Sequence, residues 1–134
     1  MASELEVLAT WEGELAANVS ARGHEVRIDE PPDVPGGENS GMMPTELFCA
    51  ALASCFVLAV AFTAKKRGLE VEGLAVTVRA RQAGDEPRYG QFEVETSGTV
   101  EGEELEELVR RAEPVCWVSQ TLAAGVDVTY STSE

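Results

Sequence analysis

Residues 47–64 constrain this chain more than any other stretch: the run carries no charged side chain, and only Ser54 and Thr63 break its apolar character. Pro44 stands just ahead, suited to the first position of a helix. Glu46 puts a carboxylate in the first turn, where the helix dipole favours it. Lys65, Lys66 and Arg67 supply the opposite charge at the far end, and Gly68 provides a stop. The pattern predicts one long helix starting at Pro44. A helix apolar on every side is either a core helix or a membrane span. The run only reaches the lower limit for spanning, about 18 residues. Much of it is alanine, and the rest of the chain still has to build a core. The expectation is a buried helix and no membrane. A chain of 134 residues struggles to cover such a helix all round, which favours an intertwined homodimer.

The charge balance narrows the partners. Ten lysines and arginines stand against 24 aspartates and glutamates, a formal charge of −14. An acidic chain is a poor match for nucleic-acid phosphates or anionic lipid, so neither is expected. High net charge is also a mark of disorder, but 44% of residues are hydrophobic and they come in long runs. One domain over residues 1–134 is the expectation from length. The three cysteines, Cys49, Cys55 and Cys116, include no CxxC pair and do not suggest a secreted disulfide framework. His24 is the single histidine. A zinc site of the usual His/Cys type is therefore not expected, nor is a serine triad without a GxSxG elbow. No metal and no bound cofactor are expected. The first nine residues are acidic rather than basic and apolar, so the expected location is the cytoplasm.

The remaining segments read by period. Residues 6–28 predict two or three short strands in an antiparallel meander, with turns at Glu12-Gly13 and Ala21-Arg22-Gly23. Residues 29–43, rich in proline and glycine, predict a loop that delivers the chain to the long helix. Residues 69–83 and 89–100 alternate around a turn at Gly84-Asp85-Glu86-Pro87 and predict a hairpin. In residues 101–112, Leu105, Leu108, Val109 and Ala112 line one face of an amphipathic helix, and its glutamates form the solvated face. Pro114 restarts a helix that Gly125 ends. Val126, Val128 and Tyr130 alternate as a final strand. Trp11 and Trp117 are expected in the core.

The thiols are the main candidates for chemistry. A thiol reacts as thiolate and needs a site that favours the anion. Cys116 follows Pro114 at the start of a helix, where free backbone N–H groups and the dipole do so. Cys55 lies in mid-helix and would need a cation brought to it. Cys49 is about 120° around the same helix from Cys55. Each could equally be small packing in an alanine-rich segment.

Pro44-Thr45-Glu46-Leu47-Phe48 followed by Ala50-Ala51-Leu52-Ala53-Ser54-Cys55 resembles the central-helix signature of the OsmC/Ohr superfamily, the osmotically inducible and organic hydroperoxide resistance proteins. The segment Ala112-Glu113-Pro114-Val115-Cys116-Trp117-Val118-Ser119-Gln120-Thr121-Leu122 resembles its second-cysteine helix, and the Asp29-Glu30-Pro31 loop fits as well. The resemblance covers nearly the whole chain. It implies an α+β, OsmC-like fold: antiparallel sheets around a long buried central helix, in an intertwined homodimer with active sites at the interface. It implies that Cys55 attacks a small organic hydroperoxide and becomes a sulfenic acid. Cys116 then resolves it as a disulfide, and an external dithiol reductant restores both. Phe56, Trp117, Met42 and Met43 are expected to line an apolar pocket.

The chain departs from the pattern at the groups that activate the first cysteine. Thr45 holds the place of the family's glutamate. Glu46, one residue later and about 100° around the helix, is the candidate orienting carboxylate. The family's arginine falls near Trp11, so Arg22, or else Arg27, is the candidate activator, acting across the dimer. The competing reading is a non-catalytic protein that binds an apolar small molecule at the dimer interface, or a thiol redox sensor. Fold alone does not separate these.

Overall fold

The computed structural model describes residues 3–133. Residues up to Phe48 form one compact unit and those from Cys49 a second. The architecture is α+β, with two separate antiparallel sheets and one long helix.

The first unit holds the meander β1 (Leu8–Trp11), β2 (Ala17–Ala21) and β3 (His24–Ile28), in that spatial order. β2 and β3 meet in a two-residue turn at Arg22 and Gly23, both with positive φ, the mirror-image turn that suits a tight hairpin. The loop that follows turns back on β3: Ile28 bridges Met42, and the Asp29 N–H donates to the Met42 carbonyl at 3.1 Å. Gly41 permits that approach, since a Cβ there would stand 2.3 Å from the Arg27 carbonyl oxygen.

Helix α1 (Pro44–Lys66) begins in the first unit and continues through the second. The hairpin β4 (Val71–Gln82) and β5 (Tyr89–Val100) follows, with a bulge near its start. Gly98 lies opposite that bulge at φ 149°, and a Cβ there would be 3.2 Å from the Glu72 carbonyl oxygen. Next come α2 (Leu105–Ala112), a 3-10 turn (Glu113–Val115) and α3 (Trp117–Ala124), which ends at Gly125. The expected helix over residues 101–112 starts only at Leu105; residues 101–104 form a turn around Gly102, whose φ is 85°.

One apolar cluster holds the second unit together. Leu52, Phe56, Ala59, Val60 and Ala64 from α1 meet Leu108 and Ala112 from α2 and Cys116. Leu74, Val76, Val78, Phe92 and Val100, on one face of the β4–β5 hairpin, pack against it. The buried α1 residues recur at helical spacing along one face, while Ala51, Ser54, Leu58, Ala61 and Phe62 remain exposed. The helix is thus buried on one side only, with Leu58 67% and Phe62 57% exposed in a single copy. By length and composition α1 also passes the test for a membrane-crossing helix.

Two further expectations are corrected. Val126, Val128 and Tyr130 form no strand; among the described residues no sheet edge pairs with them, and Tyr130 is 92% exposed. Alternation alone does not make a strand without a partner ladder. Trp11 and Trp117 are not core residues either, at 75% and 56% exposed. Trp11 spends its indole N–H on the Glu14 carbonyl at 2.9 Å, a local bond that needs no burial.

Candidate functional site

Cys55 lies midway along α1, partly buried, at the border between the buried and exposed faces. Cys116 is wholly buried within the apolar cluster, and Cys55 packs against that same cluster. Residues more than sixty positions apart in sequence therefore bring two free thiols into one core. Cys49, also free and partly buried, lies about one and two-thirds turns earlier on α1 and outside the cluster.

The backbone around Cys116 places it as the N-cap of α3, with φ −86° and ψ 101°. Pro114 sits in the preceding 3-10 turn, which closes with the Cys116 N–H donating to the Glu113 carbonyl at 3.3 Å. The Cys116 carbonyl accepts from the Gln120 N–H at 3.0 Å and from the Ser119 hydroxyl at 3.1 Å. The side chain of Cys116 makes no capping bond, so the first N–H groups of α3 keep no side-chain partner from it. The helix start that the sequence predicts after Pro114 is thus present, with Cys116 immediately before its first residue.

Glu46 has local work. Its Oε1 accepts from the Met43 N–H at 2.9 Å, which fastens the first turn of α1. That is one half of a capping box, with Pro44 at the first helical position. Thr45 beside it is exposed.

Seven arginines are committed to glutamates. Arg27 pairs with Glu12 at 2.8 Å and donates to the Ser40 hydroxyl at 2.9 Å. Arg67 grips Glu103 through two bonds, of 3.1 and 2.9 Å. Arg79, Arg81, Arg88, Arg110 and Arg111 each pair with a glutamate on the surface. Among the described residues, Arg22 is the one arginine without an ion pair. It occupies the exposed β2–β3 turn at φ 51°, a left-handed conformation that costs a residue with a Cβ about 1–2 kcal/mol.

Asp29 is the polar residue that sequence reasoning did not single out. Its buried carboxylate accepts from the Ser40 hydroxyl, from the Ser40 N–H at 3.0 Å and from the Glu30 N–H at 2.7 Å, with a longer bond from Glu38 at 3.5 Å. The Ser40 hydroxyl contributes most to holding the carboxyl at about 2 rather than 3.8, followed by the Ser40 N–H; burial opposes them, and the Glu30 and Glu38 N–H groups assist. A signal was available: an aspartate directly after a strand, entering a loop with Asn39 and Ser40, is positioned to bond that loop's N–H groups.

Of the expected pocket residues, two belong to the second unit. Phe56 is closed inside the core and Trp117 is exposed on α3. Two open depressions mark the surface of the second unit. One, of about 380 Å³, lies beside Ala61, Lys65 and Leu69; the other, of about 470 Å³, lies between Thr96 and Val109. Neither is lined by a cysteine. Among the described residues no three His, Cys, Asp or Glu side chains group as metal ligands.

Residues 37–131 match the family model described as OsmC-like protein. The chain is 33% identical over 96 residues to an organic hydroperoxide resistance protein, OhrA, of Bacillus subtilis, covering 68% of this chain and 67% of that protein. It is 30% identical over 126 residues to an organic hydroperoxide resistance protein of Xanthomonas axonopodis pv. citri, covering 92% of this chain and 89% of that one. The fold is shared with an OsmC-like protein from Mycoplasma pneumoniae at a TM-score of 0.79 and 13% identity, covering 92% and 89% of the two chains.

Proposed function

Since the chain belongs to the OsmC-like protein family, we propose that it reduces small organic hydroperoxides with two thiols, as a homodimer. The observation that carries the proposal is the packing of Cys55 against the cluster that contains Cys116. The names of the relatives point to the same chemistry.

The Cys55 thiolate attacks the terminal oxygen of the hydroperoxide and the O–O bond breaks. The alcohol leaves, taking a proton, and Cys55 becomes a sulfenic acid. The Cys116 thiol condenses with it and releases water, forming a disulfide. An external dithiol reduces that bond and leaves as its own disulfide. An apolar surround favours an alkyl hydroperoxide over the hydrophilic hydrogen peroxide. Arg22 is our choice of activating cation, because it alone among the described arginines is not spent on a glutamate. Glu46 serves as a positioning residue through the start of α1, where it holds the Met43 N–H.

The homodimer rests on α1. Leu58, Ala61, Phe62 and Lys65 stand exposed along its C-terminal half at spacings of three and four residues. That is the seam by which two helices pack. We assign its cover to the same face of a second copy. Sedimentation should give a dimer for the parent and a monomer for Leu58→Glu; a monomeric parent overturns the assignment.

The catalytic reading is tested by dithiothreitol-dependent consumption of an alkyl hydroperoxide. Cys55→Ser should abolish turnover. Cys116→Ser should leave a single rapid reaction per chain, followed by slow turnover. Equal rates in the parent and both variants would sink the reading and leave the cysteines as packing.

A further inference from the structure

Cys116 sits at a kink that its own side chain does nothing to hold. Pro114 has no N–H, so the α2 ladder cannot run on through it. Cys116, at φ −86° and ψ 101°, is the single residue between the 3-10 turn and α3. A helix start is normally fastened by Ser, Thr, Asp or Asn, whose side-chain oxygen accepts an N–H of the first turn. Here the residue is a cysteine, and no such bond is made.

The side chain of Gln120, one turn into α3, bridges the kink instead. Its Nε2 donates to the Glu113 carbonyl at 3.1 Å, the same oxygen that takes the Cys116 N–H at 3.3 Å. Its backbone N–H donates to the Cys116 carbonyl at 3.0 Å. Gln120 thus grips the chain on both sides of Cys116. The torsions of that one residue set the direction of its Cα–Cβ bond, so holding them aims the sulfur. Gln120 is exposed, and replacing it removes no core volume.

We propose, resting on the two-thiol reading above, that Gln120 is a positioning residue for Cys116. It sets how often the Cys55 sulfenic acid closes to the disulfide rather than being oxidised further. In closure the Cys116 sulfur attacks the Cys55 sulfur. The S–S bond forms, the S–O bond breaks, and hydroxide leaves with the thiol proton as water. In the competing reaction the Cys55 sulfenic acid sulfur attacks the terminal oxygen of a second hydroperoxide. An S–O bond forms, the O–O bond breaks, and the alcohol leaves with a proton. Cys55 becomes a sulfinic acid, which a dithiol does not reduce. A Cys116 that is no longer held slows the first reaction and leaves the second untouched.

The test uses Gln120→Met, similar in length but without a donor, and Gln120→Lys, which keeps an N–H donor on an unbranched chain. The full-length proteins are oxidised with a graded excess of an alkyl hydroperoxide. Mass spectrometry then sorts Cys55 into disulfide and sulfinic acid. In Gln120→Met the ratio of sulfinic acid to disulfide should rise about two- to tenfold, the range for losing one hydrogen bond. Gln120→Lys should recover most of the difference. With Cys116→Ser added to each protein, sulfenic acid should form at the parent rate. A loosened fold would slow that step too, so a slowed step overturns the positioning role.

A glutathione redox buffer separates this role from the peroxidase reading. There the ratio of Cys55–Cys116 disulfide to dithiol depends on how well the sulfurs are aimed at each other, and no hydroperoxide takes part. Gln120→Met should lower that ratio about two- to tenfold at fixed buffer composition. If it does so while hydroperoxide gives no sulfenic acid on Cys55 even in the parent, the peroxidase reading fails and Gln120 still stands as the residue that aims Cys116. Equal buffer ratios in the parent and Gln120→Met overturn the inference, as does a loss that Gln120→Lys does not restore. Failure of Cys55 and Cys116 to join in any oxidising buffer overturns it as well.

Discussion

The two compact units are held together by opposite means. In the first, a buried carboxylate gathers a loop: Asp29 draws in N–H groups from Glu30, Glu38 and Ser40, and Ser40 ties on to Arg27 and through it to Glu12. In the second, the buried side chains are apolar and the reactive groups among them are thiols. Hydrogen bonds to a charge give precise geometry and a dependence on pH; apolar burial gives neither, but makes an environment an alkyl hydroperoxide can enter. Each variant below tests whether that division is real.

Removing apolar volume from the second unit should have the largest effect. Leu108 is wholly buried on the α2 face that meets α1. Leu108→Ala should destabilise the fold by about 2–5 kcal/mol, through lost transfer energy and the cavity left behind. Denaturant midpoints should show the same loss at pH 5 and pH 8, because no carboxylate, histidine or lysine belongs to the cluster. A loss that varies with pH would mean that the second unit also depends on charge.

Arg22→Gln comes next and concerns the link between charge and sulfur. Its guanidinium is uncommitted, so stability should hardly change. The second-order rate with an alkyl hydroperoxide should fall about 10- to 100-fold, as expected when a thiolate loses its cation. Raising the pH should recover part of that loss, because more thiol then ionises without help. An unchanged rate would remove Arg22 from the reaction and leave the thiol without an identified cation.

Asp29→Asn should have a smaller effect, confined to the first unit. The Asp29 carboxyl is held at about 2 when folded against 3.8 in an open chain. A folded value below the unfolded one means that the stabilisation is complete above about pH 4 and fades as the pH falls toward 2. Hydrogen exchange of the Ser40 and Glu38 amides in the parent should accelerate across that window, beyond the intrinsic pH dependence. In Asp29→Asn those amides should already be poorly protected at neutral pH, with no further step on acidification. Amides of α2 should not respond in either protein.

Features set by local period were legible in the sequence. The start of α1 at Pro44, its end beside Gly68, the β4–β5 hairpin and the amphipathic face of α2 each follow from neighbours a few positions apart. Features that depend on distant partners were not. The Asp29 bonds span up to eleven positions through a loop without periodicity. The misread strand at Val126, Val128 and Tyr130 shows the reverse: alternation states which side chains could share a face, not whether a neighbouring strand exists. Of the candidate site, the N-cap setting of Cys116 could be read from Pro114, whereas the commitment of seven arginines to glutamates required the fold.

The smallest effect is expected on the outer face of the hairpin, where the comparison can be made at a single rung. Arg79 lies opposite Glu93 and reaches Glu93 at 3.1 Å and Glu95 at 3.2 Å, while Arg81 adds a second bond to Glu93 at 3.3 Å. These side chains are about half exposed, so water and salt screen them. Arg79→Gln should cost less than about 1 kcal/mol, and the cost should vanish in molar salt. Val78, the preceding residue, points to the other face, lies opposite Val94 and packs on the apolar cluster. Val78→Ala should cost more than Arg79→Gln, about 1–2 kcal/mol, and be insensitive to salt. If Arg79→Gln proved as costly as Val78→Ala and stayed so in molar salt, the charged face could not be open to water. Some further surface would then have to cover this ladder, and charge would be structural in the second unit too.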